Sequence, residues 1–156
     1  MTDDHEIRDR FWRELAESPF LMVGLVGSRA HSLPMTAQLD RHADHAIWFY
    51  TTRDCRLAAG GPAMAQFASK DHYLFACIDG HLVEERDPAV IRRYWSSEVA
   101  DWYKGGMDDP NLLMLRFDLG KAEIWRADVS ISGMFRMLFG GHARDELRHK
   151  HAEVDL

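Results

Sequence analysis

Residues 34–59 read PMTAQLDRHADHAIWFYTTRDCRLAA. In the first part, Leu33, Met35, Ala37 and Leu39 alternate with Pro34, Thr36, Gln38 and Asp40. A period of two is the signature of a strand with one buried face. Pro34 has no N–H to give to a ladder, so this strand belongs at an edge or a bulge. After a polar stretch, Ala46–Thr51 (AIWFYT) reads as a second strand, rich in aromatic residues. The chain then changes character at Thr52-Arg53. Residues 53–59 suit a short helix, broken by Gly60-Gly61-Pro62.

The same reading extends outward in both directions. Towards the N-terminus, Phe20–Val26 is an unbroken apolar run, as a buried strand would be, and Gly27-Ser28 begins a turn. Before it, Ile7, Phe11, Trp12 and Leu15 recur at helical spacing, and Ser18-Pro19 ends that helix. Towards the C-terminus, 63–69 and 73–84 read as two strands joined by Lys70-Asp71-His72. Asp87-Pro88 starts a helix, with Asp as cap and Pro in the first turn. A second helical piece runs from Ser97 to Tyr103, and a Gly- and Asp-rich loop follows. Residues 112–118 and 121–127 suit a closing hairpin around Leu119-Gly120. Ile131, Met134, Phe135 and Leu138 suggest a last short helix. The expectation is one domain over 1–139, a mainly β barrel of six or seven antiparallel strands with added helices, then a polar, flexible tail over 140–156.

Composition narrows the function. The 156 residues are 46% hydrophobic and 28% charged, an ordinary globular balance. A net charge of -6 argues against nucleic acid as a partner, though one cationic pocket would suffice for a small phosphorylated ligand. The charged start, MTDDHEIRDR, has no apolar core of a signal peptide, and the apolar runs are too short to cross a bilayer. Cys55 and Cys77 lack zinc-site spacing and read as free thiols, which suits the cytoplasm.

Two stretches could carry chemistry. In Tyr50-Thr51-Thr52-Arg53-Asp54-Cys55-Arg56, hydroxyls, backbone N–H groups and two guanidiniums can converge on an anion at a strand-to-helix turn. A capped turn with solvated arginines would leave the same sequence. In Pro34–Gln38, an interrupted strand can present unpaired main-chain groups, with Thr36 and Gln38 adding side-chain partners. An ordinary edge strand is the alternative. Of the five tryptophans, Trp102 and Trp125 stand near Gly-rich or charged segments, where a ring could stack. His42 and His45 form an H-x-x-H with no third ligand near it. There is no G-x-S-x-G elbow and no G-x-G-x-x-G after a strand.

The ordered set "PMTAQLD", "AIWFYTTRDCRLA", "PAMAQFAS", "YLFACIDGHLVEERDPAVIRRYW" and "DDPNLLMLRFDLGKAEIW" resembles the general stress protein branch of the pyridoxamine 5'-phosphate oxidase-like, FMN-binding split-barrel proteins, over about Glu6 to Arg126. The resemblance implies a Greek-key split β-barrel and a homodimer with FMN, or FAD in its place, at the subunit interface. It implies that Met35, Thr36, Ala37 and Gln38 line the flavin ring, mostly through main chain. Tyr50, Thr51, Thr52 and Arg56 would take the phosphate, with Leu57 beside it, and Trp125 would approach the ring. Arg56 stands where many relatives carry lysine, and Leu33 where relatives often carry a basic residue. The residues that grip pyridoxal in true pyridoxamine phosphate oxidases are not evident, so vitamin B6 oxidation is not expected.

The expected function is therefore a flavoprotein of stress physiology with weak flavin-dependent oxidoreductase activity, exchanging electrons with a small-molecule donor or acceptor. The alternatives are a flavin carrier or sensor without turnover, or a split barrel for another cofactor such as haem or a deazaflavin.

Overall fold

The structure is a computed structural model and describes residues 2–40, 42–126 and 151–156. The chain opens with helix α1 (Thr2–Glu17). Ile7, Phe11 and Leu15 on its apolar face are buried, and the Phe11 ring meets Phe67 edge-on at 5.8 Å. Five strands follow in order: β1 (Phe20–Leu25), β2 (Leu33–Thr36), β3 (Ala46–Thr52), β4 (Gly61–Ala68) and β5 (Leu74–Glu84). Two short helices come next, α2 (Pro88–Arg93) and α3 (Ser97–Trp102), then a 3-10 turn at Gly106–Asp108. Strands β6 (Leu112–Arg126) and β7 (His151–Asp155) complete the described elements.

All seven strands form one antiparallel sheet in the order β2-β1-β4-β5-β6-β3, with β7 added to β6. Period-two alternation sends Val23, Ile47, Phe49, Ala65, Ile78, Leu115 and Phe117 into a common core. Each large apolar side chain buried there contributes roughly 1.5–3 kcal/mol. The sheet closes where Gln38, just past β2, bridges Trp48 on β3. A mainly β barrel with added helices is the observed architecture, as the sequence led one to expect. Pro34 sits on β2, whose ladder runs to β1 alone, so its missing N–H leaves no rung broken.

Four local expectations are corrected. Leu112–Arg126 is one continuous strand, not a hairpin around Leu119-Gly120. One edge of β6 follows β5, while the other pairs first with β3 and then with β7. Gly120 lies at that change of partner. The Leu119 N–H donates to the His45 carbonyl at 2.7 Å, and the Gly120 carbonyl accepts from the Leu156 N–H at 3.0 Å. With those groups satisfied from outside, the chain has no cause to turn.

Residues 53–59 form a series of turns, not a helix. The N–H groups of Cys55, Ala58 and Gly60 each donate three residues back. Gly60 and Gly61, at φ of 66° and 98°, then start β4. β1 is not buried on both faces: Leu21 and Val23 point inward, while Phe20 is 61% exposed. Finally, the last part of the segment read as a flexible tail is ordered. β7 pairs with β6, and Val154 and Leu156 are buried. The helix expected near Ile131–Leu138 lies outside the described residues.

Candidate functional site

The site begins with a ladder that stops. The Gln38 N–H donates to the Trp48 carbonyl at 2.7 Å, and the Trp48 N–H returns a bond to Gln38 at 3.1 Å. Continued, that register would set Thr36 opposite Tyr50 and Pro34 opposite Thr52. No ladder forms there, and Pro34 could not have donated to one. The strands part instead. Beyond the gap, Arg56 Nη1 donates to the His31 carbonyl at 2.9 Å and ties the turn after β3 to the segment before β2. Along the unpaired edge of β2 opens a cleft of about 570 Å3.

Pro34 to Gln38 form one wall of the cleft, Tyr50 the floor, and Val99, Trp102 and Tyr103 the facing wall. The second wall exists because α2 and α3 fold over the outer face of β3. Asp87 caps α2 by accepting from the Ala89 N–H, with Pro88 following, and Ser96 caps α3 by accepting from the Val99 N–H at 3.2 Å. The Trp48 and Tyr94 rings stack at 5.2 Å, and the Tyr50 hydroxyl donates to the Ile91 carbonyl at 2.5 Å. Burial, aided by the nearby Tyr94 and Tyr103, pushes the Tyr50 phenol up to about 12, so it stays a neutral donor. Beneath α2, Glu85 is buried and accepts from Trp48 Nε1 at 3.0 Å and from the Asp87 N–H at 3.2 Å. Arg116 lies 3.5 Å from the same carboxylate.

The structure brings Met35, Thr36, Ala37, Gln38 and Tyr50 together in the cleft. Thr51, Thr52, Arg56 and Leu57 do not line it. Strand alternation points Thr51 and Thr52 to opposite faces of β3. The Thr52 hydroxyl donates to the Asp54 carboxylate. Leu57 is buried in the core. The two guanidiniums do not converge. Arg53 pairs with Glu84 at 2.9 Å and donates to the Pro110 carbonyl, whereas Arg56 is exposed beside His31. Glu84 is held below the usual carboxylate range, chiefly by the bond from Arg53.

Part of the main chain along this wall is already engaged. The Ala37 N–H donates to the Pro19 carbonyl at 2.7 Å and the Gln38 N–H to Trp48, so neither is open to a ligand. By alternation the Thr36 N–H faces away from β1, towards the split, and the side chains of Thr36 and Gln38 stand with it. Trp125 stands apart from this cleft: its indole stacks on His151 at 5.0 Å and lines a separate depression of about 230 Å3 with Met64 and Cys77. Among the described residues, no group of three or more His, Cys, Asp or Glu could hold a metal, and both cysteines are free. Sequence reasoning placed a helix over α3 and named Trp102 as a ring that could stack, but gave Ser96, Glu98, Val99 and Tyr103 no part in a site. Its signal was the pairing of Val99 with Trp102, apolar residues one turn apart.

A barrel that closes through one bridge and then splits to leave a cleft defines the class: an antiparallel split barrel. The family described as pyridoxamine 5'-phosphate oxidase-like matches residues 6–143, and the chain belongs to it. Two Xanthomonas structures place it on the general stress branch. It is 42% identical to the general stress FMN/FAD-binding protein of Xanthomonas citri, covering 81% of this chain and 93% of that one, with a TM-score of 0.76. It is 43% identical to a general stress family protein of Xanthomonas campestris pv. campestris, over 84% of this chain and 94% of that one, at 0.77. A general stress protein 26 from Jannaschia, 25% identical, covers 98% of this chain and 99% of its own at 0.76. No curated protein matches.

Proposed function

We propose that the chain binds FMN in the split between β2 and β3, with the ring along Pro34–Gln38 and the phosphate towards Arg56. The observation that carries this reading is the cleft itself, which opens along the unpaired edge of β2 from Gln38 to Pro34, while the Arg56–His31 contact lies outside its lining. Its chemistry fits a flavin. The ring would meet apolar and aromatic walls, with the Thr36 hydroxyl and Gln38 amide at its polar edge. Arg56 is exposed, and its contact with His31 leaves most of its N–H donors available to a phosphate. Thr51, partly buried near the end of β3, shares the face of Ile47 and Phe49 and would have to reach round the strand end to join it. Asp54 occupies the Thr52 hydroxyl, so Thr52 would have to release that bond to reach the anion.

The bound flavin would supply electron transfer. The chain's own part is to orient the ring, keep Tyr50 protonated beside it and shield one face from water. The reading extends to weak oxidoreductase activity on a small-molecule donor or acceptor, in the cytoplasm, and excludes pyridoxamine phosphate oxidation. It includes a homodimer. Phe20 is both a cleft wall and part of an outward apolar face. That face carries Met22, Cys77, Phe75 and the cross-strand neighbour of Phe75, Trp125, with the polar Gln66 and Glu123 set among them. A second copy covering that face would complete the cleft and could bring its own Trp125 towards the ring.

Absorption spectroscopy tests the flavin. Purified protein should carry a flavin band that survives desalting, or acquire one when FMN is added. Protein that stays colourless after incubation with FMN refutes the reading. Stopped-flow mixing with NADH and NADPH tests turnover. Reduction no faster than that of free flavin would leave a carrier and remove the oxidoreductase.

A further inference from the structure

Among the described residues Trp102 is the most exposed of the large apolar side chains, at 84%, and it lines the cleft. A tryptophan so placed forgoes burial that other apolar residues of this chain obtain. It is not a loose end. Trp102 closes α3, whose start is fixed by the Ser96 cap. The next residue, Tyr103, packs against Trp95 at 6.2 Å and Tyr50 at 6.5 Å. The indole thus stands at the cleft at the end of a helix whose following residue packs beside Tyr50 of β3.

Glu98 lies one turn earlier and also lines the cleft. Among the described residues that line it, no arginine, lysine or histidine balances that carboxylate. The cationic end of the split is at Arg56, outside the cleft. Charge is therefore divided along the split: the anion-binding end lies beyond β2, and the mouth is acidic and aromatic.

The geometry points to a second seat at this mouth, in which Trp102 stacks on a planar ring that is uncharged or cationic and Glu98 turns anionic rings away. This rests on the flavin reading, since the incoming ring is the flavin's exchange partner, and it names that partner's class. Stacking on an aromatic side chain is tolerant of ring identity, whereas the carboxylate sets a charge preference.

The test uses the FMN-loaded full chain and three rings of one size: nicotinamide, its N-methyl cation and nicotinate. Dissociation constants come from calorimetry or saturation-transfer NMR. We expect nicotinate to bind at least about tenfold more weakly than the other two, and Glu98→Gln to bring the three within about threefold. Trp102→Ala should weaken nicotinamide about tenfold, a larger factor than any change in FMN affinity, and Trp102→Phe should restore most of the loss. Equal affinity for all three rings in the unaltered protein overturns the inference. So does a Trp102→Ala variant in which probe and FMN weaken by one common factor, which would put the indole in the flavin's own seat. A dimer that dissociates on Trp102→Ala, seen by sedimentation, would instead make it an interface residue. If the unaltered protein takes up no FMN, the flavin reading falls and this falls with it. If FMN loads but charge preference is absent, this inference alone fails.

Discussion

Arg53 and Arg56 look equivalent in sequence, yet the fold separates them. Arg53 is ion-paired with Glu84, while Arg56 is exposed at the end of the split. Nothing in the local pattern could divide them, because the partner of Arg53 lies on β5. Arg56→Ala should weaken FMN by roughly 10- to 100-fold, the range of a charge-assisted hydrogen bond, and should barely change riboflavin, which has no phosphate. Fluorescence titration with both ligands checks this; equal losses would remove Arg56 from the phosphate site. Tyr50 gives a second residue-scale expectation. In the folded chain burial pushes its pKa up to about 12, above the ordinary 10.0 of the unfolded chain. The stability this contributes is fully present below pH 10.0 and is lost as pH rises through about 12. Tyr94 and Tyr103 are shifted the same way by burial. Absorbance at the tyrosinate band should rise late in the folded protein, and Tyr50→Phe should remove part of that late rise.

The bulge on β5 shows what individual elements require. Register shifts between Ile78 and Gly80, and a Cβ on Gly80 would lie 2.4 Å from Phe117 Cε2 and 2.6 Å from the Asp118 carbonyl. Gly80→Ala should therefore lower stability by roughly 1–3 kcal/mol, read as a lower midpoint in urea with an unchanged slope. At this scale the sequence was legible where local chemistry decides. The spacing of Ile7, Phe11 and Leu15, the alternation around Pro34, and the Asp87-Pro88 start of α2 all appear where the pattern put them. It was illegible where a distant partner decides. Leu119-Gly120 looks like a turn, but β3, β7 and β5 hold it straight. Residues 53–59 have helical composition, but the tie of Arg56 to His31 and the bond from the Arg53 N–H to the Asn111 carbonyl hold them in turns. The polar final segment carries Val154 and Leu156, which are enough to seat a strand once β6 offers a free edge.

For the whole molecule, the outward apolar face decides how the protomer exists in solution. Phe20 and Phe75 are exposed on the same sheet, and the proposed dimer would cover the outer face of β1. Phe75 lies outside the cleft, so Phe75→Glu should leave the fold intact, shift the protein from dimer to monomer in sedimentation velocity, and weaken FMN by removing the completing copy. A monomeric unaltered protein would contradict the dimer. The barrel class was readable from the ordered strand motifs, and Pro34 marked the strand that leaves the ladder, but nothing in the sequence showed that α3 would face it across the cleft. The most direct test of the account is a crystal structure grown with FMN. The account predicts the ring in the 570 Å3 cleft against Pro34–Gln38, with its phosphate within hydrogen-bond reach of Arg56. A flavin seated anywhere else, or a phosphate met by Arg53 with Arg56 still bonded to His31, would contradict it.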